Sequence, residues 1–114
     1  PIAAGGIFIL VGLGIIALAF HEMRDADNQP ETEIPIPTLV TGGIFRLSRN
    51  PVYLGMHIAL VGFGVAFDSL WVLATVIPFH AFLSANVIPL EEAHLERTFD
   101  ELYRDYKKDV RRWL

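Results

Sequence analysis

The 114-residue chain contains no cysteine, which excludes a disulfide framework and any thiolate metal site. It also lacks charge over long distances: residues 2–20, 52–67 and 69–90 hold no Asp, Glu, Lys or Arg. The net charge of -4 offers no basic footprint for nucleic acid. No basic segment precedes the first apolar run, and that run is longer and richer in glycine than a secretory h-region, so it does not read as a signal peptide. The chain opens on Pro1 rather than Met, which leaves room upstream for further residues, another helix among them. The length suits one domain, 1–114.

What is present is apolar and arranged in blocks. Hydrophobic residues make up 53% of the chain and the mean hydropathy is +0.43. At the helical rise, residues 2–20 reach roughly 28 Å, close to the ~30 Å hydrocarbon core. In hydrocarbon every backbone N–H and C=O must be paired within its own segment, which selects helices. The runs are too continuous for alternating barrel strands, and none carries the polar face of a soluble-bundle helix. The reading is an all-α integral membrane protein with three transmembrane helices (2–20, 51–67 and 69–89) and a C-terminal amphipathic cytoplasmic helix (91–107). All nine basic residues fall in two places: Arg24, Arg46 and Arg49 before the second run, and Arg97, Arg104, Lys107, Lys108, Arg111 and Arg112 after the third. Three spans put both groups on one side, the cytoplasmic one by the positive-inside rule. Asp68 reads as a hairpin tip that also caps the third helix.

Within the runs, Gly55, Ala59, Gly62 and Ala66 form a stripe of small residues suited to close helix packing. Pro78 is expected to kink the third helix, and Pro89 lies near its end. His57, His80 and Asn86 are polar groups that either meet a neighbouring helix or face a polar pocket. Residues 23–41 carry Pro30, Pro35 and Pro37 and read as extended chain. Gly42-Gly43 is a turn that allows close backbone approach. Asn50 stands at an N-cap position and Pro51 at N1, marking the start of the second helix, with Arg46 and Arg49 placed to touch lipid phosphates. Leu95, Phe99, Leu102, Tyr103 and Tyr106 form one apolar stripe on the amphipathic helix. Glu91 and Glu92 fall where the third span leaves the membrane, either as helix N-terminal anions or as ligands for a cationic or hydroxyl-bearing molecule.

Two stretches carry a resemblance. Gly43-Ile44-Phe45-Arg46-Leu47-Ser48-Arg49-Asn50-Pro51-Val52-Tyr53-Leu54-Gly55 resembles the Arg-His/Asn-Pro-x-Tyr-x-Gly signature of the isoprenylcysteine carboxyl methyltransferase superfamily, which includes the phospholipid N-methyltransferases. Residues 91–106 are similar to its second signature, Glu-Glu-x-x-Leu…Phe-Gly-x-x-Tyr-x-x-Tyr, and residues 110–114 to its Val-x-Arg-Trp ending. The resemblance covers about residues 38–114 and is nearest to bacterial-type members, which implies a bacterial inner membrane. It implies S-adenosylmethionine as cofactor, with Asn50, Tyr53 and Glu91 as contacts, Phe45 at an aromatic position, Leu39 and Val40 lining the pocket, and Arg49 and Glu92 as neighbours. Gly62-Phe63-Gly64 resembles a Gly-x-Gly of phospholipid methyltransferases. The chain departs from the pattern at Ile44 (often Pro), Asp100 (often Gly) and Asn50 (often His).

The cofactor's chemistry fits those residue types. A sulfonium and an ammonium need an anion, which Glu91 supplies directly or by binding the ribose hydroxyls. A carboxylate needs donors, from Asn50, Tyr53 and the second helix's N-terminus. Adenine needs apolar walls, from Phe45 and the aliphatic loop. The implied partners are membrane lipid and an amphipathic or small-molecule methyl acceptor, through a carboxylate or an amine. A carboxylate acceptor needs no base. An amine or hydroxyl does, and His57, His80 and Tyr53 are the candidates, with the catalytic residue open among them. Two other readings are an NADPH-dependent membrane reductase of the steroid-reductase type, whose C-terminal half is similar, and a non-enzymatic membrane module. Met56 follows Gly55 where such reductases carry an acidic residue, which favours methyl transfer.

Overall fold

A computed structural model describes residues 1–27 and 39–114, and every element in them is helical. Residues 28–38, with the extended chain expected around Pro30, Pro35 and Pro37, lie outside the described residues. Helix α1 runs Ile2–Asp27, seven residues past the expected end at 20. His21–Asp27 holds neither proline nor glycine to stop it, and Arg24 in the last turn suits the negative end of the helix dipole. A 3-10 turn, Gly43–Arg46, precedes α2, Pro51–Ala66. Proline at N1 starts α2 as expected.

Three corrections concern boundaries and caps. The Asn50 side chain makes no cap hydrogen bond. Asp68 does not cap the third helix either. It takes the positive φ of the turn, 50°, while the Ser69 hydroxyl accepts from the Val72 N–H at 3.3 Å. The largest correction is at the third and fourth helices, expected as 69–89 and 91–107. Helix α3 (Leu70–Phe82), a π-helical turn (Leu83–Val87) and α4 (Ile88–Phe99) form one 30-residue helix. Pro89 does not end it, because it sits in the first turn of α4 beyond the π-helical turn, in which the Ile88 N–H bonds back to the Leu83 carbonyl. Pro78 lies inside α3 without ending it. The break comes at Asp100 (φ 54°, ψ −118°), which divides the amphipathic stretch into α4 and α5, Glu101–Asp109. That conformation suits glycine, which gives a physical reason for the glycine of the family pattern.

Helices α1 and α2 pack antiparallel. A Cβ added at Gly12 would meet Gly55 and Ala59, and one at Gly5 would meet Gly62 and Ala66. The small-residue stripe therefore faces α1, with Ile9 and Ile16 filling the gaps. Helix α3 returns antiparallel to α2, setting Leu73 against Gly64 and His80 against His57. Gly62 and Gly64 thus face different helices and serve packing. This up-down-up order brings the end of α1, the start of α2 and α4 to one end of the bundle.

Two helices, Ile2–Asp25 and Leu70–Phe99, are long and apolar enough to cross a membrane. Their apolar side chains are largely unburied, with Ile2 at 78%, Leu70 at 81% and Trp71 at 86% exposure. Such surfaces suit a lipid solvent and are costly in water. Helix α2, at 16 residues, reaches about 24 Å, short of the ~30 Å hydrocarbon core.

Candidate active site

At the shared end of the bundle lies a cleft of about 400 Å³. All eight residues expected at a cofactor site line it: Leu39, Val40, Phe45, Arg49, Asn50, Tyr53, Glu91 and Glu92. Two segments some forty residues apart in sequence close on each other there. The Tyr53 hydroxyl on α2 donates to Glu91 Oε1 on α4 at 2.5 Å. Pro51 and Tyr53 position that phenol through the start of α2, and the uninterrupted Leu70–Phe99 helix delivers Glu91.

The two adjacent carboxylates have different surroundings. Glu92 is held by two guanidinium groups: Arg49 Nη1 lies 2.8 Å from its Oε2 and Arg112 Nη2 lies 2.6 Å from its Oε1. Among the described residues Glu91 pairs with no cation, and its hydrogen-bond partner is Tyr53. The Asn50 side-chain amide donates to the Arg112 carbonyl at 2.9 Å, and the buried Ser48 hydroxyl to the same oxygen at 3.3 Å. The Arg49 N–H donates to the Arg111 carbonyl at 3.0 Å. The C-terminal tail therefore fastens the segment that leads into α2.

The floor is aromatic. Tyr103 is buried and accepts from Arg49 Nη1 at 3.3 Å. Tyr106 donates to the Phe45 carbonyl at 2.6 Å. Burial raises the pKa of both phenols above the ordinary value, with the nearby Arg49 charge opposing it, so both stay protonated donors at neutral pH. At the turn before α2, Gly43 has φ +57°, and a Cβ there would overlap the Glu22 carboxylate of α1.

Of the three proton-acceptor candidates, Tyr53 lines the cleft, whereas His57 and His80 form a separate cluster between α2 and α3. His57 Nδ1 lies 2.6 Å from the Tyr53 carbonyl, which can only accept, so Nδ1 carries the hydrogen. His57 Nε2 is then left to accept from His80 Nδ1 at 3.3 Å. Trp113 packs on both rings, with centroids 4.8 and 5.0 Å away.

A family model described as phospholipid methyltransferase matches residues 1–101. The chain belongs to the phospholipid methyltransferase family. Its family and its two long apolar helices make it a membrane protein. No curated protein and no solved structure matches it. The match takes in the α1–α2 seam, Arg49, Tyr53 and both carboxylates of this methyltransferase-family chain, and stops before the tail.

Sequence reasoning missed several members of the site. Phe20 and Met23 line the cleft from α1 because that helix continues past residue 20. Leu95, Tyr103 and Tyr106 were read as an apolar stripe, and three of that stripe's five residues face the cleft. Arg112 reaches Glu92 through the returning tail, for which the Val-x-Arg-Trp ending was the available signal.

Proposed function

We propose that this family member transfers a methyl group from S-adenosylmethionine to a carboxylate or amine of a small or lipid-like acceptor at the membrane interface. The observation that carries the reading is the Tyr53–Glu91 contact, which joins the two motif-bearing segments across one cleft. The residues present fit the cofactor. Among the described residues Glu91 pairs with no cation, which suits it to a positively charged ligand. Phe20, Met23, Leu39, Val40 and Phe45 offer apolar walls for a nucleobase.

When bound, the cofactor supplies an electrophilic methyl group on a positive sulfur. The chain's own part is to hold, orient and dry the reactants, which carries most of the catalysis of such a displacement. Tyr53 fixes the Glu91 carboxylate by donating to it. Arg49 and Arg112 hold Glu92, which keeps that carboxylate from competing for the same ligand. In this reading all three bundle helices cross the bilayer, with α2 tucked between longer neighbours and the cleft on the cytoplasmic side of a single-domain protein. An amphipathic acceptor then places its head at the cleft and its tail in lipid.

The test is ligand-dependent thermal stability of the purified protein in detergent. S-adenosylhomocysteine at about 100 times its dissociation constant is expected to stabilise by about 2.7 kcal/mol, which raises the melting temperature by several degrees. NADPH is expected to have no effect. Stabilisation by NADPH alone, or by neither ligand, overturns the reading. Labelled methyl incorporation into total lipid rather than protein then assigns the acceptor class.

A further inference from the structure

Outside the cleft, His57 of α2 and His80 of α3 stand together, and neither lines the cofactor pocket. His57 Nε2 and His80 Nδ1 are 3.3 Å apart, and the ring centroids are 5.2 Å apart. As a hydrogen bond this is poor. It is longer than the usual N–H range, and a straight bond of that length would hold the centroids about 5.6 Å apart, so the two rings are bent off the line between the nitrogens. Two imidazoles bound to one tetrahedral ion at about 2.0–2.1 Å have nitrogens about 3.3 Å apart and centroids about 5.2 Å apart. Both separations agree with that arrangement. His57 is also held as a metal-bound histidine is held. Its Nδ1–H donates to the Tyr53 carbonyl at 2.6 Å, which fixes the tautomer and leaves the Nε2 lone pair turned toward His80. In the other neutral tautomer of His80, the Nδ1 lone pair joins it.

We propose that His57 and His80 form a two-histidine site for a zinc-type transition-metal ion, joining α2 to α3 one helical turn from Tyr53. Imidazole suits zinc and copper, whereas calcium and magnesium require oxygen ligands. Among the described residues no third His, Cys, Asp or Glu completes a set. The ion therefore keeps positions for water or another small ligand, and it binds less tightly than in a closed structural site. His80 is exposed, which provides an entry path. Trp113 packs on both rings, at 4.8 and 5.0 Å, and Phe79 packs on His57 at 4.9 Å. These neighbours restrict ring rotation, so the spacing of the two nitrogens is set before an ion arrives. An ion bound here ties two helices together in the folded chain alone, and so stabilises it. The site stands independently of the methyl-transfer reading.

The experiment is titration of the full chain, purified in detergent without a histidine tag, with Co²⁺ and then with Zn²⁺. The wild type is expected to bind one ion, to develop the strong visible absorption of four-coordinate cobalt, and to lose it when zinc displaces the cobalt. His57→Ala and His80→Ala are each expected to weaken binding at least about tenfold. His21 and His94, the other two histidines of the chain, supply the controls, and His21→Ala and His94→Ala are expected to leave binding unchanged. Binding that survives in His57→Ala, or that is lost in either control, overturns the proposal. Absence of binding in the wild type, or only the weak absorption of six-coordinate cobalt, overturns it too. His57→Ala also removes a packed ring. If that variant does not fold, electron paramagnetic resonance of the Cu²⁺-loaded wild type counts the ligands directly. Coupling to two imidazole nitrogens is the expected result, and coupling to one or none refutes the site.

Discussion

The α1–α2 seam and the cleft above it are built from opposite materials. In the seam, Gly5, Gly12, Gly55 and Gly62 bring two backbones so close that an added Cβ would lie within 2.4–2.7 Å of the facing helix. In the cleft, long polar and aromatic side chains take the place of glycine, and among the described residues Glu91 pairs with no cation. Apolar helices gain nothing from water by associating in lipid, so they rely on close contact. A binding site needs the reverse, groups that the fold itself leaves incompletely matched. Helices α1 and α2 are tight in the seam and, at its end, open onto a cleft that α4 and α5 complete.

The largest effect should come from the seam. Gly62→Leu is expected to cost about 3 kcal/mol or more by overpacking against the α1 backbone, read as loss of the folded fraction in detergent unfolding. Gly14→Leu, which meets nothing within 4 Å, serves as the control, and equal damage from both would mean that the seam is not the tight region. Next comes a change in the cleft that spares the fold. Glu91→Ala is expected to weaken S-adenosylhomocysteine about tenfold, whereas Glu96→Ala, whose partners are Arg104 and Lys107 outside the cleft, leaves it unchanged. Identical affinities in the two variants would take Glu91 out of the site.

The tail links the two regions, and its effect should be smaller. Trp113→Ala is expected to cost about 1–2 kcal/mol through its two ring contacts with His57 and His80, measured by denaturant titration. No loss would mean that the tail is merely laid on the bundle. Smallest is the alkaline titration. Tyr103 and Tyr106 are raised by burial, so their folded pKa exceeds the unfolded value. The stability they contribute is complete below the unfolded phenol pKa of about 10 and is lost as pH rises through the folded values. Tyrosinate absorbance of the folded protein at a pH of about 10.5 should therefore be the same in Tyr106→Phe as in the wild type. A lower signal in the variant would show that Tyr106 ionises normally.

Much of this was legible in the sequence because the governing physics is local. Uncharged runs select helices, Pro51 starts α2, and the order of the apolar runs brings Tyr53 and Glu91 to one end. What was missed depends on partners far away in the chain. Asn50 has the chemistry of an N-cap, but the carbonyl of Arg112 takes its amide. Every residue carries such a carbonyl, so composition cannot point to this one. Pro89 reads as a stop, yet a π-helical turn ahead of it lets the helix continue. Asp100 was visible as a departure from glycine, but its role as the break between α4 and α5 needed the backbone angle.

The unbroken run from Leu70 to Phe99 also acts as a ruler. Its first 21 residues rise about 31 Å, roughly one hydrocarbon thickness, and the twenty-second is Glu91. If the rod crosses the bilayer as proposed, it also sets the depth of the carboxylate, with the π-helical turn lying between the two. In that arrangement a thicker bilayer would draw Glu91 toward hydrocarbon, and a thinner one would lift it into water. Membrane thickness would then be a physical variable of the site.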